Sequence, residues 1–144
     1  MRALLDVNVL IALLDAQHVH HRLSQQWLRN NITDGWASCP ITINGCLRIM
    51  SQPAYPNAVP LQQVVQRLQL AMQTPQHTFW ADDVDPLEDD TLQWPELLHA
   101  RQVTDAYLLA LVCRHGGRLA TLDRKISPRQ VNNCRADNLV IITV

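Results

Sequence analysis

At 144 residues, 47% apolar and 17% charged, the chain has the size and composition of one packed domain over residues 1–144. That excludes a two-domain enzyme with an interdomain cleft, and equally a disordered polyelectrolyte. A formal net charge of −1 supplies no global positive field, so any contact with nucleic acid must rest on a local basic patch or on bound cations.

The four cysteines, Cys39, Cys46, Cys113 and Cys134, form no Cys-x-x-C pair and no tight Cys/His spacing. Reduced core thiols are expected instead of a zinc knuckle or a disulfide framework. The apolar start is broken by Asp6 and Asn8, too short to span a membrane and without a cleavage site, so a cytoplasmic protein is expected.

Arg2-Ala-Leu-Leu predicts a strand ending at Asp6, and the run from Val9 predicts a helix with Asn8 as its N-cap. His18 to Asn31 places Val19, Leu23, Trp27 and Leu28 at helical spacing. Trp36 to Cys39 predicts a second strand, and Pro40 suits the first turn of a helix running to Met50. The proline-rich stretch 51–60 predicts a loop, followed by a helix from Leu61 to Met72 with apolar residues at 61, 64, 65, 68 and 72. His77 to Trp80 predicts a third strand, and Asp82 to Asp90 an acidic turn region with one short helical turn at most. Thr104 is positioned to cap a helix from Asp105 to His115 that Gly116-Gly117 would close. Arg118 to Leu122 predicts a strand ending at Asp123, and Asn138 to Val144 a last one.

Strands alternating with helices predict an α/β protein, a three-layer α/β/α sandwich with a mainly parallel sheet, because parallel strands need crossovers and these are helical. Ligands of such sheets bind beyond the carboxyl ends of the strands, where Asp6 and Asp123 fall. A helix start brings Asp105 to the same end. Each aspartate alone is an ordinary turn or helix-start residue, favoured by about 0.3–1 kcal/mol at the latter. Together they would be costly without a cation: two carboxylates ~4 Å apart repel by about 4 kcal/mol at an effective dielectric near 20. Oxygen-only ligands favour Mg²⁺ or Mn²⁺ over zinc, and a metal-bound water can attack a phosphodiester.

Leu4-Leu-Asp-Val-Asn-Val-Leu resembles the opening motif of PIN domains. Arg101-Gln-Val-Thr-Asp-Ala-Tyr-Leu-Leu-Ala and Gly116-Gly-Arg-Leu-Ala-Thr-Leu-Asp resemble their closing motifs. The resemblance spans nearly the whole chain and reaches the VapC-type toxins of toxin–antitoxin pairs. It implies a PIN fold, Mg²⁺- or Mn²⁺-dependent cleavage of single-stranded RNA, a cognate antitoxin that masks the site, and Asp6, Asp105 and Asp123 as metal ligands. The family usually carries a glutamate early on the helix after the second strand. Here Thr42-Ile-Asn-Gly-Cys-Leu-Arg offers Ile43 or Gly45 where that acid would align, with Asn44 a neutral substitute. Losing one carboxylate should weaken metal binding.

Several further residues have two readings. Asn8 is either the helix cap or a hydrogen-bond partner of the Asp6 carboxylate. Thr104 caps its helix beside the site. Arg48, Arg124 and Lys125 are either phosphate contacts or solvated basic residues. His18 and His21 share a helical face at i, i+3 but lack a third ligand, and the four tryptophans are scattered as core residues are. The apolar faces of the first two helices and of Leu61 to Met72 would suit a homodimer seam or a groove for an antitoxin helix. Two other functions remain: a PIN module that binds RNA or a protein without cleavage, and a Mg²⁺-dependent phosphatase of the haloacid dehalogenase type. The latter normally needs a second aspartate where this chain has Asn8.

Overall fold

In the computed structural model, which describes residues 1–88 and 90–144, the strand and helix signals resolve into a sheet with helices on both faces. In chain order these are β1 (Ala3–Leu5), α1 (Val7–Leu14), α2 (His21–Asn31), β2 (Trp36–Ser38), α3 (Pro40–Met50), α4 (Leu61–Met72), β3 (His77–Phe79), α5 (Gln102–Arg114), β4 (Arg118–Thr121) and β5 (Leu139–Ile141). The strands pair in the order β3-β2-β1-β4-β5, every pair parallel. The chain leaves β1 on one side to build β2 and β3, then returns through α5 to lay β4 on the other. The order therefore reverses between β1 and β4, and a crevice opens at their carboxyl ends.

Side-chain alternation sorts the two outer layers. Leu4, Ala37 and Leu119 face the α5 layer, while Ala3, Leu5, Trp36 and Ala120 face the layer built from α1 to α4. Burying one such leucine contributes about 1.5–3 kcal/mol, and Leu4, Leu5 and Leu119 are all fully or almost fully buried. Helix α5 is buried continuously from Ala106 to Val112, because Trp80, Leu92, Ile126 and Val131 cover the side turned away from the sheet.

Helices α3 and α4 keep the bounds the sequence predicts. The end of α5 is also as expected: Gly116 takes φ +65°, its amide bonds the Cys113 carbonyl, and the Gly117 amide bonds the Val112 carbonyl at 2.8 Å. This pair of bonds satisfies the last turn and lets the chain reverse directly into β4.

Four local expectations are corrected. The cap of α1 is Asp6, whose carboxylate accepts from the Val7 amide at 2.7 Å, so Asn8 is an exposed residue of the first turn. Helix α5 begins at Gln102 and not after Thr104, so Thr104 is its third residue and caps nothing. Helix α2 begins at His21. The preceding stretch forms turns in which Asp15 Oδ1 accepts the Gln17 amide and His18 Nδ1 the His20 amide, local bonds that compete with a helix. Val19 is consequently exposed, and the His18/His21 helical face does not form. The last strand is confined to Leu139–Ile141, since Asn138 closes a 3-10 turn. Ile142 nonetheless extends the pairing through the Thr121 carbonyl.

Of the tryptophans, Trp36 and Trp80 are core, Trp27 is half-buried beneath the Arg118 guanidinium, and Trp94 is exposed. The cysteines are free. In the acidic stretch 82–90 the described residues form no helix, with turns only at Pro86, Leu87 and Asp90; Asp89 lies outside them.

Candidate active site

Sheet topology decides which acids can meet. Asp6 follows β1 directly and Asp123 lies two residues beyond β4, so the two flank the point where the strand order reverses. Asp105, in the first turn of α5, enters from the helix that crosses to β4. All three line one open cavity of about 1320 Å³, as do Asn8, Asn44 and Thr104.

Asp6 is held tightly. One carboxylate oxygen accepts from the Val7 amide, and the other accepts from the Thr121 hydroxyl at 2.7 Å. The Thr121 oxygen in turn accepts the Asp123 amide at 3.0 Å, and Asp123 Oδ1 accepts the Lys125 amide at 2.8 Å. One buried hydroxyl thus joins the ends of β1 and β4.

Electrostatics give the cluster its chemical character. Burial raises the Asp6 carboxyl above its ordinary value, and the nearby Asp123 charge adds to this, against the hydrogen bonds from Thr121 and Val7. Asp105 is pushed up to about 6, first by burial and then by the Asp6 and Asp123 charges. Raised carboxyls in one crevice mark a place where a positive charge is favoured.

Asn44 and Arg48 stand one helical turn apart on α3, with Ile41 and Gly45 on the same cavity-facing stripe. The resemblance aligns the absent family glutamate with Ile43 or Gly45. Ile43, one of the two residues named for it, packs into the opposite apolar core. At Gly45 a Cβ would lie 2.8 Å from Val7 Cγ2. Asn44 is the α3 residue between them that points to the acids' cavity. Each member of the Thr-x-Asn-Gly-x-x-Arg pattern now has a physical task. Thr42 accepts the Cys39 amide at the helix start, Asn44 lines the cavity, Gly45 lets α3 approach α1, and Arg48 stands on the rim.

Lys125 also borders the cavity; Arg124 does not, being exposed outside its lining. Sequence reasoning missed Arg101, His99 and Leu98 on the rim, and Thr121, buried behind it against Asp6. A buried hydroxyl in the apolar run Leu119 to Leu122, two residues before an acid, was the available signal for Thr121. The histidines near α2 play no part: His21 Nδ1 donates to the Ala12 carbonyl at 2.7 Å.

The donors that the side chains of Asp6, Asp105 and Asp123 offer a metal are oxygens, as is the Asn44 carbonyl. Among the described residues no three His, Cys, Asp or Glu side chains stand close enough to enclose one ion. Such a set fits a hard cation that retains most of its water and touches one or two carboxylates, as Mg²⁺ does, and does not fit a structural zinc.

A strand-terminal acid at the switch point, joined by a helix-start acid and a second strand-terminal acid, defines a class. The sequence model of the PIN domain matches residues 3–130, and the chain belongs to the PIN-domain family. Its relatives narrow the class to the VapC type. The chain is 43% identical to ribonuclease VapC44 of Mycobacterium tuberculosis over 142 residues, covering 99% of this chain and 100% of that one. It is 42% identical to ribonuclease VapC38 of the same organism over 84% of each chain. The crystal structure of M. tuberculosis VapC20, a Sarcin-Ricin loop cleaving toxin, superposes with a TM-score of 0.58 over 81% of this chain and 86% of that one. At 11% identity it is similar in fold alone.

Proposed function

We propose that this protein is an endoribonuclease, the toxin of a toxin–antitoxin pair, hydrolysing phosphodiesters of single-stranded RNA with Mg²⁺ or Mn²⁺ at Asp6, Asp105 and Asp123. One observation carries the reading: Asp6 and two acids that follow it about a hundred residues later, Asp105 and Asp123, converge on one crevice, two of the three with raised carboxyls. The names of the relatives that match along the chain, ribonucleases all, support it.

Asp6, Asp105 and Asp123 would hold the ion, one or two of them directly and the rest through its retained water, with Asn44 an uncharged polar neighbour on the same cavity wall. A bound divalent cation supplies an activated water and neutralises charge at the phosphate. The chain's own residues do the rest. Thr121 fixes the Asp6 carboxylate, while Arg48, Arg101 and Lys125 on the rim attract the phosphates that a net charge of −1 would otherwise repel.

An antitoxin that masks the crevice and a homodimer are part of the same proposal, as is action in the cytoplasm. An apolar hollow of about 410 Å³ lined by Leu13, Leu14, Leu28 and Ile32 offers packing surface on the α1/α2 side. No helix among the described residues is long and apolar enough to cross a membrane.

Asn44 favours a second reading, a PIN module that binds RNA without cutting it. A phosphatase gains no support, because the position two beyond Asp6 is an exposed asparagine. Incubation of purified protein with a mixed RNA pool and Mn²⁺ tests the proposal. Cleavage abolished by EDTA is expected. RNA binding indifferent to chelator, with no cleavage at any Mn²⁺ concentration, would establish the binding module instead.

A further inference from the structure

The rim of the crevice carries a feature that phosphate binding does not use. Leu98 is 77% exposed, yet it lies on the cavity wall next to His99 and Arg101. The segment bearing it is fixed at both ends. Leu97 turns inward against the α5 core, and its amide bonds the Trp94 carbonyl at 3.0 Å. Gln102, the first residue of α5, reaches back so that its Oε1 accepts both the Leu98 amide, at 2.7 Å, and the His99 amide, at 3.0 Å. The Gln102 amide bonds the His99 carbonyl at 3.0 Å. A large apolar side chain and an imidazole are thereby presented together on a backbone with little freedom to withdraw them.

An RNA strand offers two chemically different surfaces, a charged backbone and flat bases. Bases inside a duplex show a side chain only their edges, whereas unpaired bases can be splayed out and stacked on aromatic or apolar groups. Acids on the floor and cations on the rim account for the backbone. Leu98 and His99 match the other surface.

We propose that Leu98 and His99, clipped in place by Gln102, form the wall that holds an unpaired base beside the cleaved phosphodiester and so select the cut site. This rests on the endoribonuclease reading above. Leu98 and His99 are specificity-determining, and Gln102 is a positioning residue that acts through them.

The test uses the full chain with Mn²⁺ and an unstructured RNA library randomised around its centre, with both product ends sequenced at matched extents of cleavage. The wild type, Leu98→Ser, His99→Ala, Gln102→Ala and Asp6→Asn are compared. The wild type is expected to prefer particular bases at one position next to the cut. Leu98→Ser and His99→Ala should flatten that preference by roughly fivefold or more. Gln102→Ala should flatten it at the same position with all the wall residues present, an effect that loss of a helix-start contact alone would not produce. Unchanged preferences in all three variants would overturn the proposal. So would an unchanged preference in Leu98→Ser together with a halved mass by light scattering, which would make the wall a protein interface. If Asp6→Asn cuts like the wild type, the nuclease reading itself falls. If Asp6→Asn is silent while the wall variants keep the wild-type profile, only the wall proposal falls.

Discussion

The hydroxyl of Thr121 donates to Oδ2 of Asp6 across 2.7 Å while accepting the Asp123 amide across 3.0 Å. A neutral side chain, 0% exposed, therefore sets the relation between the first and last acids of the site. Replacing it with valine keeps the shape but leaves a buried carboxylate oxygen and an amide without partners. Thr121→Val should reduce cleavage by about 10–100-fold, the range for groups that orient metal ligands, and Thr121→Ser should restore most of it. Cleavage rates measured over a series of Mn²⁺ concentrations would check this, and a valine variant with wild-type rates would refute it.

Asn44 lines the cavity that Asp6, Asp105 and Asp123 share, between the two residues with which the family's glutamate would align. Asn44→Asp adds a carboxylate to the wall of the acids' cavity, so the Mn²⁺ concentration giving half-maximal cleavage should fall several-fold. Without the ion the variant should melt lower, because a like charge joins acids that already repel. Thermal unfolding in EDTA and in Mn²⁺ gives both readings, and equal melting in EDTA would argue against a shared cluster.

Gly45 sits within α3, where alanine would ordinarily gain about 0.5–1 kcal/mol. Here the added Cβ would lie 2.8 Å from a methyl of Val7, whose branched side chain is stiff. Overpacking of this kind costs about 1–3 kcal/mol, so Gly45→Ala should be destabilising on balance. Chemical denaturation should show a lower midpoint; a higher one would mean that α1 can retreat without penalty.

Asp15, buried at the end of α1, accepts hydrogen bonds from Tyr55 and from Asn57 Nδ2 at 2.9 Å, tying the 51–60 loop to the helix. Burial opposes its charge, but these bonds and that from the Gln17 amide outweigh it and hold its carboxyl below the ordinary value. A lowered folded-state pKa means stability that is fully present above the unfolded value of about 3.9 and is lost as pH falls through the folded one. Asp15→Asn should therefore be less stable than the wild type at neutral pH, and the difference should shrink as the pH drops below about 4. Denaturant unfolding at pH 7, 5, 4 and 3 would show it; a gap that stays constant would assign the loss to packing.

The layers of the fold and the bounds of α3 and α4 were legible because their apolar residues recur at helical spacing and because proline and glycine mark their ends. The start of α2 was not, since the local bonds of Asp15 and His18 override the periodicity through Val19. Caps at Asn8 and Thr104 failed for a related reason. Several polar residues precede each helix, and the one that caps α1 is set by the strand-to-helix geometry, which the sequence leaves undetermined. Asp6, Asp105 and Asp123 could be read from their places at element ends together with the family resemblance. Leu98, His99 and Arg101 could not, because their approach to the crevice depends on the fold of a stretch with no regular period.

The most direct test of the central claim is the single-turnover rate of RNA cleavage in Mn²⁺ for the wild type, Asp6→Asn, Asp105→Asn, Asp123→Asn and the double variant Asp6→Asn/Asp105→Asn. Three acids serving one metal-dependent step should each be needed, with the double variant scarcely slower than the worse single one. Full activity in any one of the three single variants, or losses that multiply in the double variant, would contradict it.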